Sequence, residues 1–227
     1  MEFQLTEWLN DLTDRLKKAF GDRILYIGHS GSYARGEATE NSDIDVNIVL
    51  DTLNMADLQK YRGIIKDMPF REKACGFICG KEEIKAWPKH ELFQFIQGCK
   101  ILYGSLDGII QAPSEMDIKD HIRNTVSAIY HEVCHRYIFC KVILNEVEEL
   151  KTAYKTAFFV LQEWLYLKQN LYIPTKKELL LHLDGENRDV LDISINWDHL
   201  KVDRETRPEY YFSLLKKWCS FLLQEVQ

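Results

Sequence analysis

Two short apolar runs, Ile24-Leu25-Tyr26-Ile27 and Val46-Asn47-Ile48-Val49-Leu50, bracket the segment GSYARGEATENSDIDV at residues 31–46. This layout restricts the chain more than any other part of it. Runs of this length and composition read as buried strands. Gly31 and Ser32 open a glycine turn after the first strand, and Asp43 and Asp45 lead into the second, separated by Ile44. On a strand, residues i and i+2 share a face and stand roughly 6.5–7 Å apart. Both carboxylates are therefore expected to aim at one spot while Ile44 and Val46 pack behind them.

That geometry has a specific chemical use. Mg²⁺ prefers one or two carboxylates together with substrate phosphates. A pair of such ions, about 3.5–4 Å apart, can clamp the attacking and leaving oxygens of a phosphoryl displacement. Glycine at 31 and 36 allows the backbone a close approach to phosphate oxygens. Turn amides and the Ser32 hydroxyl can donate to those oxygens, and Arg35 offers a planar fork matched to phosphate. Strand, turn with hydroxyl, and strand with two acids suit a nucleoside triphosphate and its magnesium.

The run resembles the signature of the DNA polymerase β-like nucleotidyltransferase superfamily, a small-Gly-Ser turn followed by Asp-x-Asp. The GSYARG and SDID spellings are similar to the bacterial branch of kanamycin- and lincosamide-type nucleotidyltransferases and minimal nucleotidyltransferase antitoxins. The resemblance is specific over roughly residues 20 to 85 and diffuse beyond. It implies transfer of a nucleoside monophosphate, AMP from Mg·ATP, to a hydroxyl of a small acceptor such as an aminoglycoside- or lincosamide-like antibiotic. Asp43 and Asp45 would be the catalytic metal ligands, Gly31 and Ser32 would receive the phosphates, and Arg35 and Ser42 would shape the turn. Lys155, from a later helix, would reach the triphosphate, and Glu132 is the candidate general base. Mg²⁺ is the implied cofactor, with ATP and a small acceptor as partners.

One departure stands out. The family's third carboxylate is expected on the strand beside Asp-x-Asp, which here reads FREKACGFICG (70–80) and places Ala74, Cys75 or Gly76 there. Glu72 is the one acid nearby, between Arg71 and Lys73. This leaves two further readings open: a weakened or silent nucleotidyltransferase fold that binds nucleotide or a partner, and an antitoxin-like transferase acting on protein or RNA. A formal charge of −6 over 227 residues argues against a nucleic-acid surface, which would carry a basic stripe. A second copy of the chain is an open partner.

Six cysteines, at 75, 79, 99, 134, 140 and 219, form no zinc-type pair and no tight disulfide spacing. They read as reduced thiols of a cytosolic protein. No run reaches the length of a membrane span, and the charged N-terminal segment does not read as a signal peptide.

The first half alternates helix and strand: helix 3–20, strand 23–28, strand 44–50, helix 55–66, strand 73–79, helix 82–97 disturbed at Pro88, and strand 101–103. After a linker at 105–115 strand signals vanish. Helices are expected at 116–140, 146–169 and 207–225, with Thr175 capping a short one. The expected class is α+β, a small mixed-sheet nucleotidyltransferase domain (1–110) followed by a helical bundle (116–227). HEVCH at 131–135 spells the zinc-protease H-E-x-x-H. No third-ligand motif follows it, and His131 and His135 fall opposite the apolar stripe, so a polar helix face is the expected reading. His29 receives no role.

Overall fold

The computed structural model describes residues 3–227, without the side chain of His90. The fold is α+β, and the chain divides into two compact units, the first ending at Ala112 and the second running from Pro113 to Gln227.

In the first unit, helix α1 (Leu5–Phe20) buries Trp8, Leu9, Leu12, Leu16 and Phe20. This is the i, i+3, i+4 stripe of an amphipathic helix. It covers one face of a four-stranded mixed sheet. The strands are β1 (Ile24–Ser30), β2 (Ile44–Leu50), β3 (Ala74–Gly80) and β4 (Lys100–Gly104), in spatial order β3-β2-β1-β4. β1 is antiparallel to β2 and to β4, whereas β2 and β3 run parallel. A parallel pair needs a crossover, supplied by α3 (Met55–Lys66). Asn54 and Asp57 fix the start of α3 in a reciprocal capping box. Arg23 clasps that box, donating to Asp57 at 2.7 Å and 3.0 Å.

Ile44, Val46, Ile48 and Leu50 join the α1-side core, while Tyr26, Val49, Cys79, Ile84 and Leu92 form a smaller one. The smaller core draws on α4 (Lys81–Ala86) and α5 (Leu92–Gly98). A single helix over 82–97 is not what forms. Proline disfavours helical backbone in the residue before it, and Trp87 is extended (φ −59°, ψ 142°), so the run is divided around Pro88.

The second unit is helical. α6 (Glu115–Phe139) buries Ile118, Ile122, Val126, Ile129 and Val133 against α8 (Lys151–Gln169) and α12 (Pro208–Glu225). The expected helix 146–169 begins earlier and breaks at Leu150, leaving α7 (Ile143–Glu149) before α8. Thr175 caps α9 (Lys176–Leu180), its Oγ1 accepting from the Glu178 amide at 3.3 Å. α10 (Gly185–Asn196) and α11 (Lys201–Thr206) complete the bundle. Among the described residues no helix is long and apolar enough to cross a membrane.

Candidate active site

β2 carries Asp45 opposite Ser30 of β1 on one side and opposite Cys75 of β3 on the other. Ile44 and Val46 are buried on the reverse face. Asp45 is half-buried, and Asp43, just before the strand, is exposed. Gly31 begins directly after β1 with φ +74°, and a Cβ placed there would overlap Asp45 Oδ2. Residue 31 must therefore be glycine for its backbone angle and for the carboxylate lying against its Cα. The glycine turn is a short helix, α2 (Gly31–Arg35), closed by Gly36 at φ 75°. Ser32 lies half-exposed within it.

The loop between α2 and β2 is held by its own polar groups. Arg35 Nε donates to Glu37 Oε2 at 3.3 Å. Ser42 Oγ accepts from the Thr39 amide at 2.8 Å, and the Ser42 amide donates to the Thr39 carbonyl at 3.0 Å. Ser42 thus folds the turn that delivers Asp43. Lys73 Nζ donates to the Glu40 carbonyl at 2.6 Å, tying that loop to the foot of β3.

No carboxylate rises from β3 beside Asp45. Glu72 sits exposed in the single 3₁₀ turn Arg71–Lys73 that precedes the strand. The Cys75 thiol instead stands within hydrogen-bonding reach of Asp45. Partial burial pushes this thiol's pKa up, and the negative charge of Asp45 and Asp43 adds to the rise. Next to it, Gly76 (φ +113°) brings its Cα against the Val46 backbone, where a Cβ would collide with the Val46 carbonyl.

Beneath Asp45 lies a polar support that the motif did not reveal. Asn47, buried, donates through Nδ2 to Ser30 Oγ at 2.9 Å and to Cys99 Sγ at 3.4 Å. Burial raises the Cys99 pKa despite those hydrogen bonds. The available signal was alternation: residue 47 follows 45 on the same strand face. His29, buried on the opposite face of β1, has no hydrogen-bond partner for Nε2 among the described residues, and burial lowers its pKa.

The remaining expected site residues belong to the second unit. Glu132 Oε1 accepts from Arg136 Nε at 2.8 Å, and Arg136 also bridges to Glu146 at 2.7 Å. Lys155 is exposed on α8, while Lys151, one turn earlier, pairs with Asp198 at 2.8 Å. His131 and His135 are exposed and stack at 5.9 Å, with Glu132 turned to Arg136. Among the described residues no group of three or more His, Cys, Asp or Glu side chains is gathered to hold a metal ion. Sequence reasoning also missed a hydrogen-bonded pair linking α6 and α8: His121 Nδ1 lies 2.7 Å from the fully buried Glu163.

Three comparisons bear on this geometry. Residues 9–86 match the family model described as "Nucleotidyltransferase domain". A curated protein of Methanocaldococcus jannaschii, named "Putative protein adenylyltransferase MJ1305", is 31% identical over 67 residues. That match spans 30% of this chain and 45% of the relative, less than half its length. Among solved structures, the spectinomycin adenyltransferase AAD(9) from Enterococcus faecialis, with ATP and spectinomycin, is similar in fold. It has a TM-score of 0.52 and 15% identity, covering 93% of this chain and 99% of that one. Residues 9–86, the segment that the family model matches, include α2, β2 and both aspartates.

Proposed function

We propose that the protein transfers AMP from ATP to a hydroxyl group of a small acceptor. The observation that carries this reading is the placement of Asp45 against the Gly31 Cα with Asp43 beside it at the entry to β2. A half-buried carboxylate packed against a glycine, with an exposed carboxylate two residues before it, supplies hard oxygen donors that suit a nucleotide-bound Mg²⁺. Asp43 and Asp45 are the residues that would hold it. When bound, Mg²⁺ neutralises phosphate charge and favours displacement at the α-phosphorus.

The chain's own part is positioning and electrostatics. Gly31 and Ser32 receive the terminal phosphates. Arg35 and Ser42 keep the loop in shape through Glu37 and Thr39. The acceptor oxygen forms a bond to the α-phosphorus as the bond from that phosphorus to the bridging oxygen breaks. Pyrophosphate leaves, and the acceptor's proton passes to a base.

The likeness to an adenyltransferase solved with ATP and an antibiotic supports ATP and a small acceptor. A protein hydroxyl is the second reading, favoured by the name of the M. jannaschii relative. One assay addresses both: each α-labelled nucleoside triphosphate with Mg²⁺ against aminoglycosides, spectinomycin, lincosamides and lysate protein. The expected result is label from ATP on one small antibiotic-like acceptor. Label on lysate protein alone would favour the second reading, and no label from any nucleotide would contradict both.

A further inference from the structure

Asp45 has a thiol as its neighbour on β3, and this bears on how many metal ions the site can hold. The parallel register pairs Asp45 with Cys75, so the position flanking the carboxylate is occupied by sulfur. The next residue, Gly76, offers no side chain, and Ala74 before it offers only a methyl group. Glu72 is exposed in the turn before the strand begins. Two Mg²⁺ ions about 3.5–4 Å apart need shared oxygen donors, and a thiol is a soft ligand that Mg²⁺ does not take up. Two carboxylates must then serve any ion present, and no third acid among the described residues is gathered with them.

We infer that Cys75 makes this a one-ion site, in which Asp43 and Asp45 hold a single hard divalent cation together with the nucleotide. The inference rests on the nucleotidyltransferase reading and deepens it. It assigns Cys75 as the residue that sets metal stoichiometry. Because β3 is an edge strand and Cys75 is exposed, the position tolerates substitution. An aspartate there would face Asp45 directly and supply the missing hard oxygens.

The test is a count of bound ions. Full-length protein is titrated with Mn²⁺ at saturating non-hydrolysable ATP analogue, and free Mn²⁺ is followed by electron paramagnetic resonance. Wild type and Cys75→Ser should each bind one Mn²⁺ per nucleotide-loaded chain. Cys75→Asp should bind a second ion at least ~10-fold more tightly than wild type does, since affinity follows ligand charge count. Cys75→Glu serves the same purpose if the aspartate variant does not fold. Two ions on the wild type, or a Cys75→Asp variant that folds and still binds one, would overturn the inference and leave the reading standing. No Mn²⁺-dependent nucleotide binding in the wild type would overturn the reading and the inference with it.

Discussion

The two faces of β2 differ in what they ask of their residues. On one face Ile44, Val46, Ile48 and Leu50 are fully buried against α1 and its neighbours. On the other, Asp45 and Asn47 alternate with them, joined by Ser30 and Cys75 from the flanking strands and by Cys99, which precedes β4. The apolar face needs only volume and shape. The polar face needs particular atoms at particular places: a residue without Cβ at 31, a carboxylate at 45, an amide at 47. Substitutions on the apolar face should therefore move stability, and those on the polar face should move binding and turnover.

The largest effect expected is at Gly31, where both requirements meet. Gly31→Ala places a methyl group into Asp45 Oδ2 at a positive φ. It should lower turnover ~100-fold or more, as an ångström of misplacement does in a positioned site, and should also lower the thermal midpoint. A variant with unchanged ATP affinity would break the link between glycine and carboxylate. On the apolar face, Ile48→Ala removes a fully buried side chain and should cost about 2–5 kcal/mol of stability. Its turnover, measured well below the melting temperature, should stay near wild type; a loss of binding in folded protein would blur the distinction between faces.

Asn47→Ala should fall between these classes. It removes the donor that ties Ser30 to Cys99, just before β4, so KM for ATP should rise several-fold as the Ser30–Gly31 junction loosens. A stability loss with no change in KM would assign Asn47 to the fold alone. The smallest effect concerns Asp57 at the edge of the apolar face. The Arg23 hydrogen bonds hold its carboxyl below the usual carboxylate range. A depressed folded-state pKa stabilises fully above the ordinary carboxylate value and is lost as pH falls through the folded one. Asp57→Asn should thus flatten the acid limb of a stability–pH curve below about pH 4, with little change in turnover; an unaltered acid limb would count against the Arg23 clasp.

The polar face was legible in the sequence where spacing alone carried it. Ile44, Asp45 and Val46 alternate within one unbroken run, so their faces followed from the two-residue period of a strand. Helix α3 was equally readable, since its capping box is local. The Asn47–Ser30–Cys99 support was not, because its partners are 17 and 52 residues away and meet only through strand register. The His121–Glu163 pair, 42 residues apart, escaped for the same reason. Pro88 was visible as a disturbance, but whether it bends or divides a helix depends on what packs afterwards. The HEVCH spelling shows the converse: two histidines one turn apart stack on an exposed face while the glutamate between them pairs with Arg136. Spacing alone does not gather a site.

The central claim is that Asp43 and Asp45 form a metal-dependent nucleotide site on an otherwise intact fold. Calorimetric titration of ATP into wild type and into the Asp43→Asn/Asp45→Asn double variant, each with Mg²⁺ and with EDTA, tests it directly. Wild type should bind ATP in Mg²⁺ and lose most of that affinity in EDTA, whereas the double variant, with an unchanged circular dichroism spectrum, should bind weakly in both. Equal Mg·ATP affinity in wild type and double variant would contradict the account.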